Sequence, residues 1–500
     1  MNQTSTLSEI QDFKGTYPKQ IWGLFFSEMW ERFSFYAMRG MLTYFMVYHL
    51  FMDDKTAQLQ YGATQAFVYA FTFIGGLFAD KILGFRRSLF WGGLLMITGS
   101  ILLAINPKDF FFLGIAFNIV GTGFFKPNIS SMVGQLYKEG DPRTDAGFLL
   151  FYSGINIGAF LGGFVISIGK GTMLTSIVPE NLRWNVAFGL AAFVMLISVV
   201  NFFFTKKSLA NIGDSPIDNT IPKNKYKQIA VYVGTIIAIP LIIKMVSNTT
   251  YTDYFMFFIG PFSLLYLIYE MTKNTLAENK KIFAGLFFIF FSVIFWAIFE
   301  QAGGSLSLFA AGNLNNNLLG INIDPNAVNN SINALFVIIL APITGILFIY
   351  LGKKNLNPNS VIKFGLGFLL LALAFYTFYT VRFSANDAGM GSLNVLALGY
   401  LVVTFAELFL SPIGLSLMTR LSPYRLQGFM MGMWFLASAY GQYVAGIFGS
   451  EISPDKGLTN LQKMMAYTEG YKEFALYAVM AGIILLVISP LVKKLMLEVR

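Results

Sequence analysis

The chain alternates long apolar runs with short polar turns. Runs of about 20 residues, long enough to cross a bilayer as a helix, recur near 21–50, 58–80, 88–105, 109–137, 145–168, 184–204, 226–246, 250–272, 282–311, 327–351, 360–379, 393–420, 427–449 and 469–493. The pattern predicts fourteen membrane helices. A polar stretch, KKSLANIGDSPIDNTIPKNKYK at 206–227, closes the first six. If the next pair of runs is an insertion, six helices remain on each side of it. GGLFADKILGFRR (75–87) and TGILFIYLGKK (344–354) form a faint repeat, each following the second helix of its half and ending in glycine and paired basic residues. The predicted fold is thus all-α and polytopic. An N-terminal six-helix bundle occupies 1–205, a linker with the inserted pair 206–281, and a C-terminal six-helix bundle 282–500.

Composition agrees. Of 500 residues, 55% are hydrophobic and 12% charged, about half the charged share of a soluble chain. The polar opening MNQTSTLSEIQDFKGTYPKQ has no signal-peptide pattern, so the first helix itself is expected to direct insertion. Loops predicted on one side hold most of the lysine and arginine, including Arg86, Arg87, Lys206, Lys207, Lys280, Lys281, Lys353 and Lys354. By the positive-inside rule that side is cytoplasmic, with both termini on it. The net charge of +9 therefore reads as topology rather than nucleic-acid binding. With no cysteine and one histidine, no disulfide, metal cluster or catalytic constellation is expected. Two related six-helix halves form a transporter architecture, with a substrate site near the midplane between them.

Charges inside the apolar runs carry the chemistry. In EMWERFSFYAMR (28–39), Glu28, Arg32 and Arg39 share a helix face, Glu31 lies about a sixth of a turn aside, and Tyr36 sits close by. Lys126, Glu300 and Glu407 lie deep in other runs. Each would cost roughly 2.5–3.5 kcal/mol at a helix centre, so they should face a shared polar interior. Simple cross-bracing of helices is the structural alternative, although buried ion pairs are weak stabilisers. Lys244 and His49 lie near helix ends and read as snorkelling and interfacial residues. The first half offers Arg32, Arg39 and Lys126 against Glu28 and Glu31, and the second offers Glu300 and Glu407 without a deep cation. A cavity between them would suit a small zwitterion, and a peptide of two or three residues spans at most about 7–11 Å. Glu28 and Glu31 must titrate as a coupled pair. An Arg39–Glu300 ion pair could close one side of the cavity until Glu300 is protonated.

Known signatures resemble these segments. The turn with Asp80, Gly84, Arg86 and Arg87 resembles a motif of the major facilitator superfamily; Asp80 could pair across it, and the two arginines could gate or merely anchor topology. Glu28-Met29-Trp30-Glu31-Arg32, followed by Phe33-Ser34, resembles the ExxER signature of the proton-coupled oligopeptide transporter family. GGLFADKILGFRRSLFWGGLLMITG, FLLFYSGINIGAF, GFFKPNISS, FWAIFEQAGGS, INALFVIILAP, AELFLSPIGLS and GMWFLASAYGQ follow in the family's order. The resemblance covers essentially the whole chain and implies a major facilitator fold and proton-driven symport of di- and tripeptides.

On that resemblance, Arg39 and Lys126 would receive the peptide carboxylate, and Glu407 with Asn333 the amino end. Tyr36, Tyr69 and Asn156 would hydrogen-bond the peptide, while Trp296 and Trp434 would shape side-chain pockets. Glu28, Glu31, Arg32 and Glu300 would couple protonation to binding and gating. The resemblance further implies a monomer in the bacterial cytoplasmic membrane, driven by the proton gradient without a cofactor. Two positions depart from the family, whose usual Tyr-Tyr-Gly is Phe35-Tyr36-Ala37 here, and Gly62 stands where animal relatives carry histidine, so coupling would run through carboxylates. Another small zwitterion or anion, such as nitrate or an amino-acid derivative, is the alternative substrate. Glu407 favours a ligand with an amine.

Overall fold

The computed structural model describes residues 6–138, 140–218, 220–354, 356–411, 414–497 and 499. A long helix meets each predicted span. The first six are α1 (Gln20–Tyr48), α2 (Asp54–Phe78), α3 (Phe85–Ile105), α4 (Phe111–Gln135), α5 (Thr144–Gly162) and α6 (Arg183–Thr205). The inserted pair is α7 (Pro222–Ser247) and α8 (Thr249–Met271). Then come α9 (Leu276–Phe299), α10 (Pro325–Lys353), α11 (Ser360–Thr380), α12 (Leu393–Leu410), α13 (Gln427–Ile452) and α14 (Asn460–Met496). Among the described residues, 11 helical segments are both long and apolar enough to cross a membrane. Helices α1, α4 and α13 have the length, but charged, polar and glycine residues lower their hydropathy.

Two spans differ from the sequence expectation. The run 282–311 is not one helix: α9 ends in the tight turn Glu300–Gly303, and Ser305–Asn313 forms a separate helix. The run 393–420 divides into α12 and a short helix, Gly414–Arg420, while Pro412 and Ile413 of the AELFLSPIGLS segment lie outside the described residues. A small hairpin of β1 (Asn317–Leu318) and β2 (Ile321–Asn322) precedes α10.

The chain forms two compact units, Met1–Met41 with Phe67–Ser247 and Leu42–Ala66 with Asn248–Arg500. The divisions fall inside α1 and α2 and between α7 and α8.

Small residues let the first unit pack closely, as in membrane bundles generally. Gly154, Gly158 and Gly162 stand four residues apart on α5. A Cβ on Gly158 would collide with the Met29 carbonyl and Arg32 of α1, and one on Gly162 would come 2.5 Å from the Phe33 carbonyl and 3.1 Å from the Ala37 amide. The second unit packs largely through aromatic rings, among them Phe288 on Phe364, Phe295 on Phe368, and Phe375 on Phe378 and Tyr471.

The turn at 75–87 proves to be a docking point for the linker. Gly84 has φ 78°, and a Cβ there would lie 2.5 Å from the Ser215 amide. Arg86 donates to the Ile212 and Ala210 carbonyls, both at 2.6 Å, and pairs with Asp214 at 3.0 Å. Arg87 donates to Gln228 Oε1 at 2.5 Å. Of the two partners expected for Asp80, a basic residue or a helix terminus across the turn, the basic one is corrected: among the described residues Asp80 makes no ion pair, and Arg86 pairs with the linker's Asp214. The related stretch at 344–354 lacks this packing, since nothing lies within 4 Å of a Cβ on Gly345 or Gly352.

Overpacking the α1–α5 contact should therefore destabilise the protein. Gly158→Leu should lower stability by about 1–3 kcal/mol, seen as a fall in Tm in detergent, whereas Gly345→Ala should leave Tm unchanged or higher. Equal effects at the two positions would contradict the close contact.

Candidate functional site

Two clusters of polar side chains lie inside the apolar helices, one in each unit. In the first, the glycine face of α5 lets α1 bury Glu28, Glu31 and Arg32, which are 2%, 0% and 1% exposed. Arg32 makes a two-pronged contact with the Glu31 carboxylate, and its Nε lies 3.2 Å from Glu28 Oε1. Phe35 packs beneath the guanidinium, its ring centroid 4.9 Å from Cζ. The tyrosine-to-phenylalanine departure thus gives Arg32 a wholly apolar floor. Two carboxylates against one guanidinium leave one excess negative charge. Glu28 Oε2 has no hydrogen-bond partner among the described residues, and a buried acceptor left unpaired by protein groups is costly.

The five other predicted residues of this unit form two cation–ring pairs and one contact within a helix. Lys126 Nζ lies 4.9 Å from the Tyr69 ring centroid, and Arg39 Cζ lies 5.7 Å from that of Tyr36. All four are partly accessible. Pro127 has no amide hydrogen to return to the Gly123 carbonyl, and Gly75 packs so close to that carbonyl that a Cβ would collide with it. Lys126 thus immediately precedes the position where α4 lacks one backbone hydrogen bond. Asn156 is 7% exposed and donates to the Tyr152 carbonyl at 2.9 Å, so its amide nitrogen is turned onto its own helix.

In the second unit, Asn333 Nδ2 donates to Glu407 Oε2 at 3.1 Å and to Thr404 Oγ1 at 3.0 Å. The two residues predicted to share the amino-end role are therefore in contact. Thr404 is an addition that the sequence reading missed; its one-turn spacing from Glu407 on α12 was the available signal. Trp296 sits against Gly441, and its indole N–H has no partner among the described residues. Trp434 is 7% exposed and packs against Gly414.

Glu300 is 4% exposed and caps α9 where the helix breaks. The break frees carbonyls that must be satisfied in lipid. Asn329 Nδ2 donates to the Ala302 carbonyl at 2.8 Å and is itself held by the Tyr400 hydroxyl at 2.7 Å. Thr43 Oγ1 donates to the Gly303 carbonyl at 2.6 Å. Gln301 bridges the Ala297 and Ala445 carbonyls. These supports were not singled out from the sequence, although Gly-Gly after a buried Glu-Gln signals a break. Gly62 is also explained: a Cβ there would lie 2.7 Å from Gly446 Cα, so a histidine cannot be seated without moving α13.

Among the described residues, no cluster of histidine, cysteine or carboxylate side chains could hold a metal ion. A cavity of about 700 Å³ in the first unit is lined by Gln11, Asp80, Gln135, Tyr137, Lys138 and Asn211, among others. It contains none of the substrate or coupling residues proposed from the sequence.

Residues 86–454 match the sequence profile described as the POT family. A transporter of Bacillus subtilis named as uncharacterised is 33% identical over 497 residues, 96% of this chain and 95% of that one. A peptide transporter of Yersinia enterocolitica is 33% identical over 465 residues, 88% of this chain and 89% of that one. The crystal structure of a peptide transporter, carrying one glutamate-to-glutamine change and bound to alafosfalin, superposes with a TM-score of 0.83. It is 32% identical and covers 98% of this chain and 99% of that one.

The charge count around Arg32 makes a prediction. Arg32→Met strands two buried carboxylates and should cost about 3–5 kcal/mol. Adding Glu31→Gln should recover part of that loss. Thermal unfolding in detergent checks both, and an Arg32→Met protein as stable as wild type would contradict the buried triad.

Proposed function

This chain belongs to the POT family of membrane transporters, and on that premise we propose that it is a proton-coupled symporter importing di- and tripeptides across the bacterial cytoplasmic membrane. The observation that carries the coupling is the Glu28–Glu31–Arg32 triad, in which two buried carboxylates share one guanidinium and Lys126 is a further cation acting on both. A proton on Glu28 Oε2 brings the triad to neutrality and turns an orphaned acceptor into a donor. Because the two carboxylates share one guanidinium, the proton belongs to the pair and is gained or lost with both. Buried charge is expensive in lipid, so the triad's protonation can bias which conformation the protein occupies.

The polar side chains divide the substrate's ends between them. Arg39 and Lys126 receive the peptide carboxylate, with Tyr36 and Tyr69 beside them. Asn333 orients Glu407 for the amino group through its 3.1 Å hydrogen bond, and a carboxylate held in place pairs better with an ammonium. The side chain of Asn156 and the indoles of Trp296 and Trp434 complete the walls. Glu300, at the break after α9, is assigned with the triad to coupling and gating. Alternating access then moves peptide and proton inward, with both termini cytoplasmic, no cofactor beyond the gradient, and a monomer as the working unit.

Dialanine uptake into proteoliposomes tests this reading. An inward proton gradient should stimulate uptake. Glu300→Gln should abolish that stimulation while peptide-driven counterflow survives. Asn333→Ala removes a hydrogen bond to a charged group, worth on the order of 1.5–3 kcal/mol, and should raise KM for dialanine about tenfold or more. Folded protein that moves no peptide under any gradient would overturn the peptide assignment and favour another zwitterion, or nitrate.

A further inference from the structure

Four cations surround one recess of the first unit, where α3 begins and α6 ends. Arg86 and Arg87 lie in the first turn of α3, and Lys206 and Lys207 in the tight turn that follows α6. The recess has a volume of about 580 Å³ and is walled also by Phe90 and Asp214. Asp214 pairs with Arg86 at 3.0 Å. Arg87 donates to Gln228 Oε1, and Lys206 and Lys207 add two further positive charges to the recess. Lys206 Nζ lies 4.6 Å from the Phe90 ring centroid and 4.3 Å from that of Phe203. Lys207 Nζ lies 5.8 Å from Phe203 and 5.9 Å from Phe204. Among the described residues neither lysine makes an ion pair. A cation over an exposed ring is weakly held, and an anionic oxygen offers it a stronger, charge-assisted bond.

Depth selects the kind of anion. Phe85–Ile105 and Glu180–Ser208 are both apolar enough to cross a bilayer, so the recess lies where two spans meet the interface. The charge asymmetry of the loops makes that interface cytoplasmic. Phe203 and Phe204, next to the lysines on the membrane side, are 46% and 63% exposed. An acyl chain can cover such rings, while a free anion has no use for them. Basic recesses between membrane helices on the cytoplasmic side suit anionic lipid headgroups.

We propose that this recess binds the phosphate of an anionic phospholipid in the cytoplasmic leaflet. Lys206 and Lys207 hold the phosphoryl oxygens, and Phe203 and Phe204 face the acyl chains. The site is separate from the residues assigned to peptide and proton, and stands whatever the transported substrate.

Native mass spectrometry of the full-length protein in detergent tests it, titrating phosphatidylglycerol against phosphatidylcholine. Wild type should bind phosphatidylglycerol preferentially. Lys206→Ala with Lys207→Ala should weaken that binding about thirtyfold, counting about one factor of five per lysine, whereas Lys206→Arg with Lys207→Arg should retain it. Phosphatidylglycerol binding unchanged in the alanine pair would overturn the site. Binding of inorganic phosphate with the same lysine dependence, and no preference between the two lipids, would also overturn it in favour of a soluble anion. If the alanine pair does not fold, a photoactivatable phosphatidylglycerol must still label residues 203–207 of the wild type, and labelling elsewhere alone would refute the proposal.

Discussion

Burying Glu28, Glu31 and Arg32 in a helix of a membrane bundle is the constraint on which the first unit depends. Charged groups lose their hydration there, so they need close partners and exclusion of lipid. Glycines at 154, 158 and 162 supply that exclusion by drawing α5 onto the α1 backbone. Gly162 brings α5 close to the backbone of Ala37, the second departure from the family pattern: a Cβ on Gly162 would lie 3.1 Å from the Ala37 amide. Phe35 beneath Arg32 seals the guanidinium further. The packing and the chemistry are thus one feature: without the glycine stripe, α5 could not lie so close over the triad.

A second regularity links several of the residues assigned to function. Lys126 immediately precedes a proline inside α4. Glu300 stands at the break after α9. Glu407 lies in the last turn of α12, where its carbonyl accepts from the Ser411 amide at 2.8 Å. Helix interruptions within a membrane free backbone polar groups, and these must be satisfied by side chains. Asn329 (itself held by Tyr400), Thr43 and Gln301 do so around the α9 break. Those residues act as scaffolding, fixing where Glu300 sits.

The helices were legible because lipid demands long apolar runs, and each of the predicted spans is met by one. The charged residues were legible for the opposite reason, being costly where they stand. Their local partners were only partly so. The Glu28–Glu31–Arg32 spacing announced the triad on one helix, and the resemblance paired Asn333 with Glu407. Nothing in the local sequence announced that Arg86 would choose Asp214 over Asp80, since that depends on a linker fold more than a hundred residues away. The α9 break was hidden for another reason: EQAGG sits in a run apolar enough to pass as one helix, and its supports come from distant helices. The weak repeat at 344–354 shared letters with 75–87 but not packing, because its glycines meet no neighbour.

The central claim is that the triad carries one proton in exchange for its excess charge. Infrared difference spectroscopy of the reconstituted protein across a pH titration, comparing wild type with Glu28→Gln, tests it most directly. The glutamine variant already has one carboxylate against one guanidinium and is neutral. The predicted result is a protonated-carboxyl band that grows as pH falls in wild type and is diminished by one carboxyl in Glu28→Gln. An identical band in the two proteins would mean that the triad keeps both carboxylates ionised, and the proton would have to be carried elsewhere.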